Sequence, residues 1–210
     1  MWSFSGPGPK KPVEPQSTSM ERAGKTRAAD WALPLAHVGL GSNLSPDLHI
    51  VRAVLEIRVH AKVLAASRFY RNPAYAPSRQ QQQPEFVNGV LRVQVCTALD
   101  EFRYGTLRKI ESRLGRIRTS DPFAPRVIDL DLLTFQSRPE DRGQGLWADP
   151  EIFVRPYWAI PLAELSPDLR IPGTDRSLGE HAAAMERSGL VYLESLTCEI
   201  RRLLDLSSHD

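Results

Sequence analysis

The run Ile128-Asp129-Leu130-Asp131-Leu132 leaves this chain few ways to fold around it. Side chains two apart on a strand leave by the same face, so Val127 to Phe135 read as a strand with Ile128, Leu130 and Leu132 entering a core. Asp129 and Asp131 then point together, away from that core. The segments before this strand have to supply a sheet for it to join, and its acids then face either a cleft or, as is common for strand carboxylates, solvent.

Those segments are legible in order. Leu35 to Leu40 is a short apolar strand running into the turn Gly41-Ser42-Asn43. Ser45-Pro46-Asp47 offers a cap and an early helical proline, and Leu48, Val51 and Leu55 follow at helical spacing, which predicts a helix to about His60. Val63 to Tyr70 reads as a second strand. Phe86 to Val95 alternates Val90, Arg92 and Gln94 against Leu91, Val93 and Val95, a third strand with one face buried. Thr97 is expected to cap a second helix with Leu107, Ile110 and Leu114 on one face, weakened by Gly105 and ended by Gly115. Trp158 to Leu165 reads as a short helix. The order strand, helix, strand, strand, helix, strand predicts an α+β fold of ferredoxin-like type, a four-stranded antiparallel sheet with helices packed on one face. Ser177 to Leu206 adds an extra C-terminal helical segment around a break at Gly189. The expected organisation is a disordered tail over 1–34, a main domain over 35–175 and a C-terminal helical extension of it over 176–210.

The tail assignment rests on composition. Residues 1–34 are rich in Pro, Gly, Ser and charge and show no hydrophobic period, so they bury too little to offset chain entropy. They also hold the surplus of positive charge: the rest of the chain balances at 22 basic against 22 acidic residues. A concentrated basic face of the kind that binds nucleic acid is therefore not expected. Cys96 and Cys198 sit in neither metal-ligand nor redox spacing, and no apolar run reaches the length of a spanning helix. A cytoplasmic protein without nucleic-acid or membrane partners is the expectation.

Two carboxylates facing one cleft suit magnesium, a hard cation that takes oxygen ligands and completes its shell with water and substrate phosphates. Upstream lie Arg126, after Pro125, and Arg116 and Arg118 at the end of the second helix. Guanidinium groups converging on an acid pair are what a magnesium-bound triphosphate needs, since arginine grips phosphate oxygens in pairs.

Five motifs stand in sequence around these residues: Gly41-Ser42-Asn43-Leu44, Phe69-Tyr70-Arg71-Asn72-Pro73, Phe86-Val87-Asn88, Pro125 to Leu133, and Pro161-Leu162-Ala163-Glu164. In order and near-spacing the series resembles the 6-hydroxymethyl-7,8-dihydropterin pyrophosphokinases of folate biosynthesis, over roughly residues 36 to 172. The resemblance implies transfer of pyrophosphate from ATP to a hydroxymethyl oxygen of the pterin, with AMP leaving. It implies two Mg2+ ions held by Asp129 and Asp131, with ATP as co-substrate. Phe86 and Tyr157 fall where the family stacks the pterin, Asn88 where an amide reads its edge, and Asn72 and Pro73 where backbone contacts it. Phe123 falls on an aromatic lid. Arg118, Arg126 and Arg155 match phosphate-side positions of the reaction, and Arg108, Glu111, Arg116, Leu132 and Asp149 match the nucleotide side.

The chain departs from the family at three of these places. Pro122-Phe123-Ala124 replaces a basic residue and Trp-Gly, Arg108 stands for a glutamine, and Asp149 stands for a histidine near the ATP phosphates. An acid at 149 repels a triphosphate unless it recruits a cation. Three other readings compete. In a nucleotidyltransferase an Asp-x-Asp follows Gly-Ser closely, whereas here two strands and two helices intervene. A ferredoxin-like RNA-binding module would need exposed aromatics on the third strand, which Gly89 to Val95 lacks. A relative that binds pterin and ATP without turnover is the third.

Overall fold

Strand β1 (Leu35–Ser42) lies inside the sheet and is buried on both faces. The computed structural model describes residues 33–74, 83–121, 124–137, 145–187 and 189–205. In chain order the other strands are β2 (Lys62–Ala66), β3 (Tyr70–Asn72), β4 (Phe86–Gln94), β5 (Asp129–Gln136), β6 (Leu146–Ala148) and β7 (Val191–Tyr192). Their spatial order is β6-β5-β1-β4-β3-β7, with β2 also paired to β4. Every pairing is antiparallel.

The expected count of four strands is corrected to seven among the described residues. The predicted second strand, Val63 to Tyr70, is broken into β2 and β3, and β6 and β7 extend the two edges. The expectation of helices on one face is corrected as well. On one face α1 (Pro46–His60), α2 (Arg108–Arg113) and α5 (Glu194–Asp205) pack through Ile50, Ile57, Ile110 and Ile200 against Val38, Leu40, Val93 and Leu130. On the other, α3 (Pro156–Leu165) and α4 (Leu178–Ala183) cover Val90 and Leu133 with Trp158, Leu162 and Leu178. Trp158 to Leu162 are buried consecutively, since α3 is sandwiched between the sheet and α4.

Two local signals act differently from their sequence reading. Ser45 precedes α1 in a left-handed conformation, φ 45°, and its side chain makes no capping bond. Thr97 does not cap the second helix: its hydroxyl is buried without a partner, and the helix opens with Phe102 N–H donating to Ala98. That helix is π-helical from Glu101 to Leu107, around Gly105, and continues as α-helix in α2. Its end is as expected, with Gly115 at φ 88°.

In β5 the register steps from Val38↔Leu132 to His37↔Thr134, so Leu133 is the extra residue of a bulge. Leu133 and Thr134 both turn toward α3, while Phe135 returns to the core under α1. The C-terminal extension is more than helical, because β7 joins the sheet at β3. No helix among the described residues is long and apolar enough to cross a membrane. The expected tail falls, up to residue 32, outside the described residues.

Candidate active site

The cleft is built on the α3 side of the sheet where the central strand has no side chains. Gly39 and Gly41 alternate with Val38 and Leu40, so the strand shows its core face to α1 and bare backbone to the other side. A Cβ on Gly39 would fall 2.7 Å from the Trp158 ring, and one on Gly41 would fall 2.7 Å from Asn88 Oδ1. Both positions have to be glycine for this packing. The result is a cavity of about 270 Å³ lined by Asn72, Phe86, Asn88, Asp129, Asp131 and Tyr157, with Arg126, Arg155, Gly41, Gln83, Glu151 and Trp158 completing it.

Register sets the layout of its floor. Gly41 pairs with Asn88 on one side and Asp129 on the other, and Gly39 pairs with Asp131. Two strand spacings, about 10 Å, therefore separate the amide from the first acid. At the amide end, Asn88 Nδ2 donates to Asn72 Oδ1 at 2.6 Å, and Asn72 Nδ2 donates to the Pro73 carbonyl at 2.9 Å. Both asparagines are buried, and Phe86 and Tyr157 supply the aromatic surface beside them.

At the acid end Asp129 and Glu111 meet arginines. Asp129 is bound by Arg116 through one oxygen and by Arg126 through the other. Arg116 also binds Glu111 Oε1, which accepts the Leu130 N–H at 2.9 Å. Arg108 and Arg118 bind Glu111 Oε2 at 2.9 and 2.8 Å. Burial holds the Glu111 carboxyl above its usual range against the pull of the Leu130 N–H, Arg116 and Arg108. The Asp131 carboxyl is pushed up to about 7, first by burial and then by the charges of Asp129 and Glu111. Asp129 and Asp131 both line the cavity and offer it hard carboxylate oxygens, donors of the kind that fit a divalent cation.

Of the positions predicted from sequence, Asn72, Phe86, Asn88, Arg126, Asp129, Asp131, Arg155 and Tyr157 meet in this one cavity. Arg108, Glu111, Arg116 and Arg118 stand beside Asp129 as an ion-pair network and do not line it. Leu132 is 1% exposed with its side chain in the core under α1, which leaves only its backbone to meet a nucleotide. Pro73 is exposed beyond Asn72. Phe123 lies outside the described residues. Asp149 has recruited its cation: Arg103 approaches to 3.6 Å while stacking 4.9 Å from the Trp147 ring centroid. Its other oxygen accepts the Glu151 N–H at 2.9 Å and caps the short helix Pro150–Phe153.

Gln83, Glu151, Trp158 and Arg103 were not found by sequence reasoning. The glycine spacing at 39 and 41 signalled a close approach on that face and could have pointed to an aromatic such as Trp158. Nothing in the sequence signalled Glu151 or Arg103.

The sequence pattern of the 7,8-dihydro-6-hydroxymethylpterin-pyrophosphokinases matches residues 37–167. A Synechocystis protein named 2-amino-4-hydroxy-6-hydroxymethyldihydropteridine pyrophosphokinase is 33% identical over 146 residues, 68% of this chain and 72% of the relative. A Pseudomonas aeruginosa protein of the same name is 34% identical over 161 residues, 75% of this chain and 95% of the relative. In fold, the chain is similar to a Plasmodium falciparum HPPK-DHPS crystal structure, with a TM-score of 0.52 and 10% identity over 72% of this chain and 44% of that longer one. With its matched span covering the cleft from β1 to α3, this chain belongs to the 7,8-dihydro-6-hydroxymethylpterin-pyrophosphokinase family.

Proposed function

We propose that this protein transfers pyrophosphate from ATP to the hydroxymethyl group of 6-hydroxymethyl-7,8-dihydropterin, a step of folate biosynthesis that releases AMP. The observation that carries the reading is a single cavity with a neutral, aromatic and amide-lined end about two strands away from an acid and arginine end. A flat heterocycle with a donor and acceptor edge suits the first end, and a triphosphate suits the second. In this reading the core of β1, β2 with β3, β4 and β5 is a ferredoxin-like sheet, extended at its edges by β6 and β7.

Phe86 and Tyr157 stack the pterin, and Asn88, braced by Asn72, reads its edge. Pro73 borders that end, and the family resemblance assigns Phe123 as its aromatic lid. Asp129 and Asp131 would hold two magnesium ions, whose charge would neutralise that of the triphosphate oxygens. Arg126 and Arg155 line the cavity as cations for the phosphates that the pterin hydroxyl attacks, with Arg118 beside them. Arg116 bridges Glu111 and Asp129, so it keeps the first acid oriented while Arg126 is drawn to the phosphates. Arg108, Glu111 and the backbone of Leu132 form the nucleotide side, and Asp149 shapes it through Arg103 and its helix cap. Two free cysteines and a site for metabolites of the cell interior agree with a cytoplasmic setting.

The test separates reaction classes by product. Protein with magnesium, ATP and 6-hydroxymethyl-7,8-dihydropterin should yield AMP and a pterin diphosphate in equal amounts. ADP would indicate a simple kinase and pyrophosphate a nucleotidyltransferase, and either would overturn the proposal. Unchanged substrates, with both shown to bind, would mark a relative that has lost turnover.

A further inference from the structure

The family match ends at residue 167, yet the strand that carries Asn72 is held from beyond that limit. Strand β3 is only three residues long, and so short a strand needs support on both sides to keep its position. β4 supplies one side. On the other, β7 pairs Tyr192 with Tyr70 and Val191 with Arg71.

The residue before β3 is tied more tightly still. Leu193 N–H donates to the Phe69 carbonyl at 2.9 Å, and Phe69 N–H donates to Thr197 Oγ1 at 3.0 Å. Thr197 is fully buried, and its hydroxyl donates in turn to the Leu193 carbonyl at 2.8 Å. Past the other end of β3, Gly189 at φ 81° lies so near Pro73 that a Cβ there would come within 3.3 Å of Pro73 Cδ. The segment from Gly189 to Thr197 thus brackets Phe69 to Pro73, with Asn72 inside the bracket.

We propose that residues 189–197 are a positioning element for the pterin end of the cleft, with Thr197 as its principal positioning residue. The inference rests on the reading that Asn72 and Asn88 face the pterin. Asn72 can brace Asn88 at 2.6 Å only while β3 keeps its place, and the Thr197 hydroxyl fixes the start of that strand. The acids and Arg126 lie across β4 and β1 from β3, so the phosphate end does not depend on this bracket.

Thr197→Val keeps the shape of the side chain and removes the acceptor, while Thr197→Ser keeps the acceptor. With magnesium and a non-hydrolysable ATP analogue present, calorimetry should show dihydropterin binding weakened at least fivefold in Thr197→Val and restored to within twofold by Thr197→Ser. Affinity for the analogue itself should change less than twofold. Tyr192→Ala, a partly exposed change, should weaken dihydropterin binding in the same direction by about half as much on a logarithmic scale, and it decides the matter if Thr197→Val does not fold. Unchanged dihydropterin affinity in the folded variants, or equal loss for both ligands, would overturn the positioning role. Wild-type protein that binds the analogue but not the dihydropterin would overturn the functional reading instead.

Discussion

The two ends of the cleft solve the problem of buried polarity in opposite ways. At the proposed pterin end one neutral amide, Asn88, donates to a second, Asn72, which donates to a backbone carbonyl, so this end is already arranged before a ligand arrives. At the proposed phosphate end Asp129 and Glu111 are spent on arginines, and a triphosphate with its cations would have to take over those partners. One end is preorganised in shape, the other in charge. Preorganised hydrogen bonding gives selectivity for one flat ring, whereas exchangeable ion pairs let charge rearrange as a phosphoryl group moves.

The largest effect should come from removing either acid. Asp129→Ala or Asp131→Ala should lower turnover by about 10²–10³-fold or more with the fold retained, as expected when charge stabilisation is removed from a reacting phosphate. Turnover within tenfold of wild type in both variants, with magnesium present, would erase the distinction between the two ends.

A pH series sharpens it. His37, buried between Thr134 and Ser166 on the same sheet face, has its imidazole lowered to about 4, by burial first and Arg92 second. The unfolded chain binds that proton more readily, so His37 costs stability on acidification from about pH 6.5 to 4, by about 3 kcal/mol in all. Asp131 has the opposite sign, because its folded carboxyl, raised to about 7, takes up a proton that the unfolded chain holds only near pH 4. Acidification through the same window therefore relieves the phosphate end. In metal-free protein the Asp131→Asn variant should lose melting temperature steeply from pH 6.5 to 4, and His37→Gln should gain it. Parallel curves for the two variants would refute the opposed signs.

The smallest effect concerns Asp149. Asp149→Ala should cost about 1 kcal/mol of stability through loss of the cap, visible as a lower melting temperature, and Asp149→Asn should cost less. Because Arg103 already neutralises the acid, ATP affinity should change less than twofold in Asp149→Asn. A marked tightening would show that the acid repels the triphosphate after all.

The charged end was the more legible of the two in the sequence. Asp129 and Asp131 alternate with Ile128, Leu130 and Leu132, and period two on a strand fixes which way each points. Asn88 and Asn72 carry no such signal, and only their place in an ordered series of motifs brought them in. In the fold, β1, α1, β4 and the end at Gly115 followed from period and glycine placement. β6 and β7, of three and two residues, are too short to show any period. The helix layer on the second face was missed because α3 is buried on most sides and shows no polar stripe to indicate a direction. Thr97 misled because a hydroxyl before an apolar run is only a local preference, and here the chain starts its helix from Ala98.

The extra residue at Leu133 has a consequence for how this strand can change over time. It divides β5 into two stretches whose alternation is set independently, one ending at Leu132 and the other beginning at Thr134. Gaining or losing a residue beyond the bulge can re-aim Thr134 and Phe135 without rotating Asp129 and Asp131 away from the cleft. The packing under α3 can thereby be altered separately, while the phase of the acid pair stays locked by Gly39 and Gly41 across the ladder.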